Sequence, residues 1–145
     1  MPSVKSIVLV GAQLATMGGI LATGPWIARQ PGWLALEIAG CALGAWAVLA
    51  MRIGNFGIFP EFRDGHHLVT RGPYRWIRHP MYTAVLLSFG ALVADFFSWP
   101  RVAIWIAMAV VLAIKLTVEE KLLREHFPDY AAYSLRTKRL VPFVW

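Results

Sequence analysis

The sequence predicts an all-α membrane protein. It reads as a polytopic bundle of about four transmembrane helices, with a cytoplasmic loop between the second and third and interfacial helices at the C-terminus. Three observations carry this. Of 145 residues, 58% are hydrophobic and only 15% charged, which is too apolar for an ordinary soluble domain of this size. The apolar residues fall in long runs, and a bilayer core of about 30 Å needs about 20 of them in a helix. The charges gather instead in one central and one C-terminal segment. The whole chain, 1–145, reads as a single domain.

The first span runs from about Ser6 to Trp26, with no charge between Lys5 and Arg29. It is expected to be a span rather than a removable leader, because the apolar run is long and no clear small-residue cleavage site follows it. Pro31-Gly32 marks a turn. The second span runs from about Trp33 to Ile53, with one acid, Glu37, near its start. Its Cys41 is the only cysteine, which excludes an internal disulfide and a thiolate zinc cage. The apolar setting predicts a buried structural thiol. The third span runs from about Pro80 to Trp99, and Pro80 suits the first turn of a helix. The fourth runs from about Val102 to Val118.

Beyond it, Leu122, Leu123, Phe127 and Tyr130 form an apolar stripe at helical spacing. Pro128 interrupts the helix, and Asp129 and Tyr130 open a second short one. This predicts an interfacial segment folded back under the bundle.

The basic residues set the expected orientation. Arg52, Arg63, Arg71, Arg75 and Arg78 lie between spans two and three, and Lys121, Arg124, Arg136, Lys138 and Arg139 lie in the tail. The other connections hold only Arg29 and Arg101. Basic residues favour the cytoplasmic side, so the loop and both termini are expected there. In a chain this apolar, the formal charge of +6 points to anionic membrane lipids, not nucleic acid.

Polar chemistry concentrates in "RGPYRWIRHPMY", residues 71–82, preceded by His66 and His67. Gly72-Pro73 makes a turn before Tyr74. Arg78 and His79 fall at the positive N-terminal end of a membrane helix, where an anion can bind. Tyr82 follows one turn on and faces the same side. Glu119-Glu120 forms a second polar site at the end of span four. Adjacent acids point in different directions on a helix, so spacing alone does not make them an acid/base pair. Lys115 and Glu119, and Glu120 and Arg124, are at i,i+4 and can form ordinary helix salt bridges. There is no histidine ladder for haem or zinc, no metal site, no glycine-rich phosphate loop, and no serine or cysteine nucleophile with an evident base.

Taken together, these residues resemble the isoprenylcysteine carboxyl methyltransferases and the related phospholipid methyltransferases, small integral-membrane enzymes. The likeness rests on His66-His67-Leu68-Val69-Thr70, Gly72-Pro73-Tyr74 and Arg78-His79-Pro80-Met81-Tyr82. Glu119-Glu120, Phe127-Pro128, Tyr130, Tyr133 and Pro142-Phe143 follow in the family's order. The likeness covers residues 54–145 and matches the first two spans only as hydrophobic segments. It implies S-adenosylmethionine as cofactor, held by His66, Tyr74, Arg78, His79, Tyr82, Glu119 and Glu120. The cofactor region would comprise 54–82 and 115–145. It also implies a lipophilic acceptor arriving from the bilayer, either an isoprenylcysteine-like carboxylate or a lipid amine. Lys115 and Glu119 are the expected catalytic residues. Three departures stand out. Lys115 occupies the place of an arginine expected to hold an acceptor carboxylate, and a point charge cannot make the two-pronged contact. Ala84 and Pro128 stand where the family often has glycine. A membrane reductase of related fold and a non-enzymatic membrane protein are the rival classes.

Overall fold

The computed structural model describes residues 3–51 and 68–141. His66, His67 and Pro142-Phe143 lie outside the described residues. Among the described residues five helices follow in order: α1 (Val4–Ala22), α2 (Pro31–Met51), α3 (Pro80–Asp95), α4 (Trp99–His126) and α5 (Tyr130–Arg136), with a 3-10 turn at Gly72–Arg75 before α3. No strand occurs among the described residues, and the chain folds as a membrane helix bundle.

α1, α2 and α4 are long and apolar enough to cross a membrane. α3 has 16 residues, a length of about 24 Å, and is the short member. The outward faces are apolar, with Leu49 77% and Val8 62% exposed. That pattern suits lipid rather than water.

α2 packs along α3, α1 packs along α4, and the two pairs meet where α3 faces α4. The α2–α3 approach is close because its residues are small. A Cβ on Gly40 would lie 2.9 Å from the Ser88 backbone nitrogen, and one on Gly44 3.3 Å from the Ala84 Cβ. Small residues at a membrane helix interface allow such approach. Ala84 therefore works as packing against α2.

The boundaries correct several expectations. Pro31-Gly32 opens α2 instead of lying in a preceding turn, because proline's fixed φ and missing N–H suit a first helical position. α3 stops at Asp95, and Ser98 precedes the start of α4 at Trp99. α4 runs on through Glu119-Glu120 to His126, so the acid pair lies inside the helix and not at its end. Cys41 is exposed rather than buried, because it sits at the rim of the α2–α3 seam, with its thiol 3.6 Å from Ser88 Oγ and its remaining surface turned outward, where lipid replaces protein as the apolar surroundings. Lys115 does not pair with Glu119; its ammonium turns to Gln13 of α1 instead.

At the end of the bundle away from "RGPYRWIRHPMY", backbone groups left over by the helix termini are met by charged side chains. Arg101 is 1% exposed. Its Nη1 donates to the Ile20 carbonyl at 2.7 Å and to Thr23 Oγ1 at 3.1 Å, and its Nη2 donates to the Leu92 carbonyl at 3.0 Å. One guanidinium thereby caps the C-terminal carbonyls of both α1 and α3. In return, Asp95 accepts the N–H groups of Arg29 and Gln30, each at 2.9 Å, just before α2 begins. Glu37 accepts the Ala28 N–H at 2.8 Å.

Replacing Arg101 removes the charged donor from two carbonyls that keep only longer bonds, Leu92 from the Phe96 N–H at 3.3 Å and Ile20 from Thr23 Oγ1 at 3.2 Å, and a hydrogen bond to a charged group contributes about 1.5–3 kcal/mol. Arg101→Leu is expected to lower the thermal unfolding midpoint of the detergent-solubilised protein by several degrees. An unchanged midpoint would remove the capping role.

Candidate functional site

The site is built where the start of α3 meets the last third of α4. Gly72 begins it. Its φ is +59°, and a Cβ there would lie 2.8 Å from the Ala50 Cβ. Only glycine meets both demands. Arg71 Nε donates to the Ala50 carbonyl at 2.9 Å, so the turn is pinned to the end of α2. The turn buries Tyr74, whose carbonyl accepts from the Tyr133 hydroxyl at 2.6 Å.

The tail then pairs with the entrance to α3 in strand-like fashion. Lys138 N–H donates to the Trp76 carbonyl at 3.0 Å, Arg78 N–H to Lys138 at 2.7 Å, and His79 N–H to Arg139 at 3.1 Å. Thr83 Oγ1 donates to the Leu140 carbonyl at 2.7 Å. The expected folding-back of the tail is thus against residues 76–83, and the short helix opens at Tyr130 with Asp129 just before it rather than in its first turn.

Both acids of α4 reach this segment. The His79 ring stacks on Tyr82, with centroids 5.4 Å apart and planes 3° from parallel. His79 Nδ1 lies 3.4 Å from Glu119 Oε2, and Nε2 lies 3.6 Å from Glu120 Oε1, which is ion-pair reach. The Tyr82 hydroxyl donates to Glu119 Oε1. The adjacent acids leave the helix in different directions, yet both carboxylates converge on one imidazole.

Glu120 is 4% exposed and gathers cations. Arg78 Nε lies 2.8 Å away, Arg139 Nη2 3.2 Å and Arg124 Nη2 3.9 Å. The expected Glu120–Arg124 pair is therefore present but is the longest of the three. Arg78 Nη1 also donates to the carbonyls of Ser134 at 2.8 Å and Thr137 at 2.5 Å. Arg78 clamps Glu120 and the tail together.

Burial and charge tune these groups. Burial alone would lower the His79 pKa, but Glu119 and Glu120 beside it win, so it stands above the usual histidine value. Burial, then the charge of Glu119, pushes the Tyr74 hydroxyl well above the ordinary tyrosine range. Burial, then Glu120, raises Tyr130 to about 12. These hydroxyls stay protonated and remain donors.

Of the expected site residues, the structure brings together Tyr74, His79, Tyr82, Glu119 and Glu120, with Arg78 behind them; His66 lies outside the described residues. Lys115 is placed one turn deeper. It is 4% exposed, with Nζ 3.0 Å from Gln13 Oε1 and 5.4 Å above the Tyr82 ring. Sequence reasoning missed Gln13, although a lone amide amid an apolar span was a signal. It missed the role of Arg139 as well, since nothing local ties it to Glu120.

The sequence pattern of the phospholipid methyltransferase family matches residues 33–130. Among curated proteins, the cobalt-zinc-cadmium resistance protein CzcN of Cupriavidus metallidurans is 31% identical over 122 residues, covering 82% of this chain and 52% of that protein. The protein YpbQ of Bacillus subtilis is 27% identical over 103 residues, covering 68% and 61%. The nickel-cobalt-cadmium resistance protein NccN of Alcaligenes xylosoxydans xylosoxydans is 28% identical over 134 residues, covering 92% and 52%. The chain spans about half the length of these relatives.

The raised His79 pKa has a consequence for pH. A group whose pKa rises on folding contributes stability that is full below its unfolded value, 6.5, and is lost as pH rises through the folded value. The unfolding midpoint is expected to fall as pH rises above 6.5, and His79→Gln to remove that part of the slope. A slope that persists in the variant assigns it elsewhere.

Proposed function

The chain belongs to the phospholipid methyltransferase family, and from that premise we propose that it catalyses S-adenosylmethionine-dependent methyl transfer to a lipophilic acceptor, a carboxylate of the isoprenylcysteine kind. The main support is the convergence of Glu119 and Glu120 on the stacked His79 and Tyr82. Beside them, the buried Tyr74 hydroxyl has no hydrogen-bond partner among the described residues. This donor set fits the cofactor. Glu119 and Glu120 suit an ammonium or ribose hydroxyls. Arg78 and Arg139 suit a carboxylate. The Tyr74 ring suits a sulfonium through cation–π attraction, while the Tyr82 ring carries His79 and Lys115 and borders the site. His66 completes the proposed set.

When bound, the cofactor supplies a methyl group already activated by the sulfonium. The chain's own residues then hold and orient. Tyr82 fixes one oxygen of Glu119, and His79 lies against the other. Lys115 offers its ammonium to the acceptor's carboxylate. An ionised carboxylate carries its own electron pair, so no side chain has to remove a proton, and alignment in a water-poor site is the main contribution. A lipid amine is the second acceptor class, favoured by the family's description; against it stands Lys115, whose ammonium repels another cation. Both termini and the site are placed at the cytoplasmic face, on the distribution of basic residues.

Calorimetry on the purified protein is expected to show binding of S-adenosylmethionine and none of nicotinamide nucleotides. Glu119→Gln should weaken that binding about tenfold, which is about 1.4 kcal/mol. No binding by the wild type would end the methyltransferase reading, and nicotinamide binding would favour a reductase.

Orientation is checked separately. Cysteines placed at Arg75 and Lys138 in a Cys41→Ala background are expected to label from the cytoplasmic side of oriented vesicles. Labelling of both from the opposite side would invert the assignment.

A further inference from the structure

Lys115 lies well inside α4 and is 4% exposed. Among the described residues it makes no ion pair. Its helical neighbour Glu119 is already engaged by Tyr82 and His79. Its own partners are an amide oxygen, Gln13 Oε1 at 3.0 Å, and the face of Tyr82 at 5.4 Å. A buried cation whose direct partners are neutral is costly even with the Glu119 charge acting on it through space, and an ionisable group at membrane depth is a functional candidate.

Gln13 is the other half of the arrangement. It sits midway along α1, and among the described residues its Nε2 has only the thioether of Met17, 3.9 Å away, as a weak acceptor. The amide donor and the ammonium thus stand side by side amid apolar residues, one turn of α4 inside Glu119. The family match begins at residue 33, so α1 lies outside the segment that carries the shared site.

The geometry points to Gln13 as a specificity-determining residue that, with Lys115, forms a subsite for the carboxylate head of a lipophilic acid. This deepens the methyltransferase reading and rests on it for the fate of that acid. Two N–H donors, one of them charged, match the two oxygens of a carboxylate. They reject an amine head, which brings a second cation and no acceptor. The acid's oxygens would displace the Gln13 oxygen from Lys115 and leave the amide free to turn its nitrogen inward. α1 then acts as the element that selects the acceptor, while α3 and α4 hold the cofactor site.

The test uses the full chain in detergent, without cofactor, and reads the thermal unfolding midpoint against dodecanoate and dodecylamine. Dodecanoate is expected to raise the midpoint of the wild type, and dodecylamine is not. Gln13→Glu places a carboxylate against Lys115, so it should keep its fold and lose the dodecanoate response, raising the half-saturating concentration about tenfold. Gln13→Leu should raise it less, and Gln13→Asn should retain part of the response. Affinity for S-adenosylmethionine should be unchanged in all three. Wild-type indifference to dodecanoate, an equal response in Gln13→Glu, or a parallel loss of cofactor affinity would each overturn the subsite. A dodecanoate response that follows this order in a protein that binds no S-adenosylmethionine would leave the subsite standing and remove only the methyltransferase reading.

Discussion

Glu120 is the constraint around which this end of the molecule is organised. A carboxylate kept from water at the edge of a membrane bundle is expensive unless charge and hydrogen bonds surround it. Arg78 meets it from the entrance of α3, and Arg139 from the tail. His79 meets it from the first position before α3. Arg78 and His79 come from the entrance to α3 and Arg139 from the tail, so satisfying one carboxylate fixes two distant segments relative to α4. The Arg78 guanidinium extends the effect by holding the carbonyls of Ser134 and Thr137. The tail is thereby part of the site's wall and not a solvated appendage.

The two ends of the bundle solve the same problem with different means. At the far end, Arg101 and Asp95 satisfy backbone groups that helix termini leave over. Those charges serve the helix ends, although Arg101 Nε is buried with no hydrogen-bond partner among the described residues. At the site end, the acids are in excess of what backbone requires, and the Tyr74 hydroxyl is buried with no partner among the described residues. Polar capacity kept in reserve in a buried place is what a ligand would use. The close packing of α2 on α3 through Gly40, Gly44 and Ala84 supplies the rigid backing, while Lys115 and Gln13 stand where α1 and α4 face Tyr82.

Much of the arrangement was legible in residue order. The apolar runs marked the helices, because a bilayer demands continuous hydrophobicity over a fixed length. Pro80 marked the start of α3, and Gly72-Pro73 the turn before Tyr74, because both act through their own backbone geometry. Boundaries were less legible: Pro31 opens α2, and α4 runs past Glu119-Glu120 to His126. Helix ends are set by what caps them, and Asp95, which serves the start of α2, is distant in sequence. Cys41 was misjudged because an apolar neighbourhood in sequence does not distinguish a protein core from a lipid-facing surface.

By itself the sequence determined the class of the protein, an all-helical membrane bundle, and the residue types of its site, since hydropathy and local turn chemistry are written in short stretches. Only the tertiary structure decided which partner each charged group takes. Lys115 had Glu119 one turn away, yet it turns to Gln13. Arg139 lies far along the chain from Glu120, yet reaches it. The reason is energetic: a buried charge accepts the partner that leaves the fewest polar groups unmet across the whole fold, and that sum exists only once the helices have packed.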